Sequence, residues 1–405
     1  MFRLKAEGPS YMTKTWFVCV SAVSLVALGV VSWPSSSSRG AAGRATQNAA
    51  ARDPRLDMVT SLPAMEPHPS LGDQAKVFGR LVGTWDVEYN FFTKDGKAAG
   101  RSYGEVILGW IMDGHATQDL FIAYPMEKHK ERSIGTTLRY FDPTSGKWRI
   151  TFILPEFDYI RTLTGGPVGD ERIVLYGQDP DGTQLRWSFN DIRPDTLTWC
   201  GEKSNDGGKT WWMEEQHRFT RRAAAAGTKG DPRRDMITAL QAMRPHPSLG
   251  DQANVFGRFV GTWDVDYGEF GEDGKETHYP GELIVGWVLD GHALQDLFVS
   301  YPKAPGKQRE IGTTLRYFND KTGKWRVVYV EPPSDTVVEL TGGQEGERIV
   351  LYGEGRQGSL LRWSFDDIKE DSFTWRGERS RDRGKTWRLV EEHHMKRRLR
   401  NSVKS

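Results

Sequence analysis

The chain has 405 residues, of which 37% are hydrophobic and 27% charged, and its formal net charge is +1. That balance excludes an overall basic surface built for nucleic acid, and 15 Trp, 18 Phe and 13 Tyr exclude a disordered polyelectrolyte. Two Cys leave no disulfide scaffold and no Cys-built zinc site, while 44 Gly beside 11% aromatic residues point to β structure with many tight turns.

From the N-terminus, the run Trp16 to Trp33 (WFVCVSAVSLVALGVVSW) is uncharged and mostly apolar, and Lys5 and Lys14 precede it. A basic flank before an apolar stretch is a targeting pattern. The run is long for a signal core and just enough to cross a bilayer, so a cleaved signal peptide and a membrane anchor both fit. A Ser/Ala/Gly linker completes residues 1–50. The folded remainder is expected outside the cytoplasm, either periplasmic or secreted, with residues 16–33 as the means of any membrane attachment.

Everything after that is one unit written twice. DPRLDMVTSLPAMEPHPSLGDQAKVFGRLVGTWDVEY, from Asp53, returns as DPRRDMITALQAMRPHPSLGDQANVFGRFVGTWDVDY, from Asp231. IGTTLRYF, GKWR and ERIVLYG also occur in both halves. A period of about 177 residues is far beyond a solenoid repeat, so each copy is a complete domain. The expected organisation is a first barrel at 51–222, a linker at 223–230, a second barrel at 231–398 and a basic tail at 399–405. Lys396-Arg397-Arg398-Leu399-Arg400 reads as a solvated end.

Each copy opens with helical spacing: Met58, Leu62 and Met65, then Val77, Phe78, Leu81 and Val82, ending near Gly83. Strands follow. Alternation is clear in Trp85-Asp86-Val87-Glu88-Tyr89, in Trp148-Arg149-Ile150-Thr151-Phe152 and in Leu185-Arg186-Trp187-Ser188-Phe189. Glu105 to Met112 is apolar on both faces, as a strand covered on both sides would be. Turn signals separate the runs at Asp95-Gly96, Ser145-Gly146, Gly165-Gly166, Asp181-Gly182 and Asp206-Gly207-Gly208. The reading is all-β: about ten short strands per copy, closed as two antiparallel up-and-down barrels, each preceded by short helices.

A short helix, a Gly-x-Trp on the first strand and a meander of strands resemble the lipocalin-like (calycin) barrels. LVGTWDVEYNF, GEVILGWIMDGH, TTLRYFD and SGKWRI are similar to an uncharacterised group of bacterial exported domains of that kind. The resemblance implies a lumen for a small, largely apolar or amphipathic molecule, with Trp85 and Trp263 closing the barrel floor. Nitrobindin-type barrels, a haem-holding branch, carry their ligating His late in the chain, where His217 and His393 stand. This chain has Asp86-Val87-Glu88-Tyr89 in place of their alternating glycines, so haem stays an alternative and no cofactor is expected.

On the last strand Glu215 and His217 share one face, as do Glu391 and His393 in the second copy. They suit ligand contact or acid–base work; the latter is the enzymatic alternative, and a structural module whose barrels are filled by their own side chains is another. Arg139 and Arg186, with Arg316 and Arg362, alternate with large apolar residues and would present guanidinium forks to an anionic head group if they face the lumen. Gln118 and Gln295 are further inward-polar candidates. A metal set could combine His115 and Asp119 with Glu215 and His217, or His292 and Asp296 with Glu391 and His393, but one ligand pair per strand is weak spacing. No nucleophile elbow, zinc helix motif or phosphate loop occurs. Asn90-Phe91-Phe92 becomes Gly268-Glu269-Phe270 in the second copy, so the two mouths are expected to differ.

Overall fold

The computed structural model describes residues 53–127, 130–223, 231–301, 309–355 and 358–398. The apolar run at 16–33, the greater part of the 223–230 linker and the 399–405 tail lie outside the described residues. No helix among the described residues is long and apolar enough to cross a membrane.

Helix α1 (Asp57–Ser61) buries Met58 and Val59, a two-residue strand β1 (Pro63–Ala64) follows, and α2 (Ala75–Gly79) buries Val77 and Phe78. Ten strands come next: β2 (Gly83–Phe92), β3 (Ala98–Ile111), β4 (Ala116–Tyr124), β5 (Ser133–Asp142), β6 (Lys147–Leu154), β7 (Tyr159–Pro167), β8 (Ile173–Gln178), β9 (Gln184–Asn190), β10 (Thr196–Ser204) and β11 (Trp212–Arg221). The second copy repeats the plan with α3 (Pro232–Leu240) and α4 (Ala253–Gly257). The carboxylate of Asp231 caps α3 by accepting from the N–H groups of Arg233 and Arg234. Its strands are β12 (Gly261–Phe270), β13 (Glu276–Val288), β14 (Ala293–Ser300), β15 (Glu310–Asn319), β16 (Lys324–Glu331), β17 (Thr336–Glu345), β18 (Arg348–Glu354), β19 (Leu360–Asp366), β20 (Ser372–Ser380) and β21 (Arg388–Arg397).

Each strand pairs antiparallel with the next, and the last returns to the first, β11 to β2 and β21 to β12. The molecule is therefore two closed ten-stranded barrels, the architecture expected from the alternating runs. Gly165-Gly166 is the exception among the turn signals, for it lies inside β7. A Cβ at Gly165 would stand 2.0 Å from the carbonyl oxygen of Val174, and one at Gly342 2.0 Å from that of Val350. The neighbouring strand approaches that closely where the barrel coils, so these glycines permit closure rather than a turn.

Period-two alternation sends Trp85, Val87, Val106, Leu108, Trp148, Ile150, Leu163 and Leu175 into the first lumen. The opposite face of β3 to β7 is equally apolar: Ile107, Ile111, Leu120, Ile122, Leu138, Tyr140, Ile153 and Ile160 join their second-copy counterparts in one shared core. This is why Glu105 to Met112 is apolar on both faces. The leading helices cross over to reach that core. Met236 of α3 packs on Gly109 of β3, and Met58 of α1 packs on Gly286 of β13, where an added Cβ would lie 3.0 Å from the Met58 Cβ.

Polar pairs on this seam repeat about a pseudo-twofold axis. Gln118 and Gln295, both fully buried, each donate Nε2 to the other's Oε1 at 3.0 Å. Tyr140 Oη donates to Asp335 at 2.8 Å and Tyr317 Oη to Asp158 at 2.6 Å. Arg132 forks onto Asp290, and Arg309 onto Asp113. Gln118 and Gln295 are thus not the inward-facing groups that were expected: Asp119 and Asp296 take the lumen face, so their neighbours take the seam. Gln118→Leu should lower unfolding free energy by about 1–3 kcal/mol, because it leaves the Gln295 amide oxygen without its donor in an apolar core, although Gln295 Nε2 still donates to Thr313. Adding Gln295→Leu should restore most of that loss, and chemical denaturation of the two variants checks both outcomes.

Candidate ligand sites in the two lumens

The strands run so that one end of each barrel is closed by its own second helix, α2 in the first and α4 in the second. There the Trp85 indole donates to Leu81 O at 2.8 Å, and the Arg221 guanidinium lies 4.0 Å over its ring. Arg221 also donates to the carbonyls of Arg80 and Val82 at 2.7 Å, stitching the last strand to the helix exit. Trp263 and Arg397 repeat this, with Arg397 donating to the carbonyls of Arg258 and Val260. Burial lowers both guanidinium pKa values from the usual arginine range. Trp85 and Trp263 therefore form part of the packing that closes the floor. Arg397 is no solvated tail residue. The signal for it was present in the sequence, as an Arg ending the last strand of both copies.

Above the floor, Phe78 of α2 packs edge-on to Trp148 with centroids 4.8 Å apart. Arg139 and Arg316 do face the lumen here, because Leu138 and Tyr140 face the seam. Each is already neutralised: Arg139 pairs with Asp119, and Arg316 with Asp296 at 2.5 Å. Asp119 and Asp296 also accept from the backbone N–H of Thr137 and Thr314. In the second barrel a void of about 10 Å³ beside Arg316, walled by Phe256, Phe259, Phe365 and Phe373, holds no more than one water. The closed half is filled.

Arg186 and Arg362 point the other way. Leu185 and Trp187 take the lumen, leaving Arg186 outside, where it forks onto Glu202 at 2.7 Å and covers the Trp211 ring at 4.3 Å. Arg362 does the same with Glu378 and Trp387. Neither can meet a molecule inside a barrel.

The open half differs from the floor. In barrel 1 a ring of aromatic contacts runs around the wall. His217 stacks on Trp199 (4.8 Å, 13°), Trp199 meets Trp187 (5.5 Å), and Trp187 meets Phe152 (5.7 Å). Phe152 meets Phe121 (6.1 Å), Phe121 meets Tyr89 (4.9 Å), and Tyr89 returns to His217 (4.8 Å). Phe121, Phe152, Trp187 and Trp199 are only half-buried, whereas Trp85, Trp148 and Phe78 are at most 1% exposed. His217 is itself buried; its Nε2 lies 3.0 Å from Glu215 and its Nδ1 has no hydrogen-bond partner. Barrel 2 keeps the theme with His393 against Tyr267, Phe298 and Trp375. Its Nε2 also lacks a hydrogen bond, with Glu391 3.6 Å away.

The alternative metal sets do not assemble. His115 stacks on His68 at 3.9 Å, away from the lumen pair, and Asp119 is held by Arg139. Glu131, His246 and His292 come together instead at the seam, a grouping no strand pattern foretold. Sequence reasoning also missed the ion network crossing the mouth of barrel 1, where Arg161 and Lys203 share Asp179 and Lys203 holds Glu214 at 2.8 Å.

One carboxyl in barrel 2 titrates unusually. Burial, reinforced by Glu310, Glu391 and Glu269, pushes Glu331 up to about 7 from an ordinary 4.5, against a hydrogen bond from Ser334. Between those two values the folded chain holds a proton that the unfolded chain has released, so stability falls as pH rises through this window. Glu331→Gln should leave stability unchanged near the acid limit and raise the melting temperature above pH 7. Thermal melts across that range check it.

No protein-family model matches the chain, and no curated protein matches it. Among solved structures, the chain is similar to the S-type phycobiliprotein lyase CPES from Guillardia theta (12% identity, TM-score 0.29, covering 37% of this chain and 93% of that one). It is also similar to a DUF3598-family protein of unknown function from Nostoc punctiforme (13%, TM-score 0.26, 79% and 97%). A mutant of transferrin binding protein B from Haemophilus parasuis matches at 7% identity and TM-score 0.17, over 78% and 76%. No assignment of function follows from likenesses of this size.

Proposed function

We propose that this is an exported tandem lipocalin-like protein, sent out of the cytoplasm by residues 16–33, that binds a small, largely apolar molecule in the open half of its barrels. The observation that carries this reading is the contrast within one lumen. Trp85, Trp148 and Phe78 at the closed end are fully buried, while Phe121, Phe152, Trp187 and Trp199 of the open half keep solvent-accessible faces around a histidine with an unpaired ring nitrogen. A barrel filled by its own side chains has no reason to leave that aromatic surface wet. The ligand would stack on Trp187 and Trp199 and place one polar atom at His217, or at His393 in the second barrel.

Fluorescence titration with 1-anilinonaphthalene-8-sulfonate, an apolar anion, tests the reading in the first barrel. Saturable binding is expected, and Trp199→Leu with His217→Leu should weaken the barrel 1 component by about tenfold or more. Absence of saturable binding, or a component indifferent to these changes, would remove the reading.

A further inference from the structure

The two barrels have diverged at the positions that line their mouths, and the net change is toward negative charge. Phe91, Ser133 and Leu154 of the first barrel are replaced by Glu269, Glu310 and Glu331 in the second. Glu391 keeps the place of Glu215, so four acidic side chains stand on β12, β15, β16 and β21 at one open end. The internal cations of the first mouth are gone: Arg161 becomes Val338, and Lys203 becomes Arg379, which is exposed. Glu214, the partner of Lys203, becomes Val390. Lys275 and Arg388 stand at the same end and are likewise exposed.

A cavity of about 340 Å³ opens at this mouth, lined by Glu269, Glu391, Asp273, Lys275, Thr277 and Phe270. Tyr267 donates to Glu269 at 2.8 Å, and burial followed by Glu391 and Glu269 raises the tyrosine pKa, so it stays a donor. Below it, the His393 side chain is 7% exposed, faces the same lumen, and carries an Nε2 that makes no hydrogen bond. Tyr267, Phe298 and Trp375 surround that ring, and Trp363 and Tyr329 continue the wall.

Carboxylates at the entrance with aromatic faces beneath them are the two elements that recognise an organic cation. The carboxylates accept its N–H donors, and the aromatic faces receive its charge and its apolar body. We infer that the second barrel binds an organic ammonium compound, an amine with an apolar body, whereas the first takes an uncharged or anionic one. The inference rests on the binding function proposed above. A divalent metal ion would use the carboxylates alone and leave the aromatic wall without a role.

Calorimetric titration of the whole chain with benzylammonium, and with benzyl alcohol as its uncharged counterpart, tests this. Benzylammonium should bind more tightly than the alcohol by about tenfold or more. Glu269→Gln with Glu391→Gln, which keeps side-chain shape, should abolish that preference, and so should Glu269→Phe, Glu310→Ser and Glu331→Leu together, which install the residues of the first barrel. Trp199→Leu in barrel 1 should leave it intact. Equal affinity for the two probes, persistence of the preference in the Gln variant, or displacement of benzylammonium by calcium or zinc ions would overturn the inference. Anilinonaphthalene sulfonate binding separates the failures. If it persists while the ammonium preference is absent, only this inference falls; if both are absent, the binding function falls with it.

Discussion

Arg139→Met should cost the protein about 3–5 kcal/mol of stability, because it leaves Asp119 ionised inside a barrel without its counter-charge. The side chains of Arg139 and Asp119 are 6% and 7% exposed, so water cannot take over the role of the guanidinium. The Thr137 N–H still donates to Asp119 but cannot neutralise it. Replacing both partners, Arg139→Met with Asp119→Leu, should recover most of the loss, since two apolar side chains suit the floor that Phe78 and Trp148 already form. A guanidinium denaturation series reads both values. Had Arg139 been held in reserve for a ligand head group, the single variant would weaken ligand retention and leave stability nearly unchanged.

Met58→Asp should be comparably damaging, at about 3–5 kcal/mol or more, although the residue lies in no lumen. Met58 is fully buried, and its side chain sits on Gly286 of the other barrel. A carboxylate there has no partner in a core shared by Met236, Ile284, Val288 and Leu289. The native chain should unfold in one transition, because neither barrel can leave the other without exposing that core. The variant should show two transitions, with the barrels melting separately. Calorimetry distinguishes these outcomes.

The barrels could be read from the sequence because period-two alternation and glycine turns are local, and each copy confirmed the other. Even so, the alternation could not say which face was the lumen. Leu138, Tyr140, Leu185 and Trp187 look alike in the sequence, yet the first two face the seam and the last two face the lumen. That single ambiguity put Arg139 inside and Arg186 outside, and it turned Gln118 from a lumen group into half of a buried amide pair. The seam itself was illegible, since apolar residues on both faces of β3 say only that something covers it. Glu215, His217, Glu391 and His393 fell where strand register put them, because they share a face with Phe219 or Met395 next to the floor. Arg161, Asp179 and Lys203 were missed because their network joins strands far apart in sequence, with no motif spacing to betray it.

Native mass spectrometry of the chain from residue 45 onward, purified from an exported preparation without added ligand, tests the binding function most directly. The expected result is a discrete adduct of one or two small molecules per chain, lost when His217 and His393 are both changed to leucine. A clean mass for the unmodified chain, joined by a crystal structure in which Trp187, Trp199 and Trp363 are fully covered by the barrels' own side chains, would contradict it.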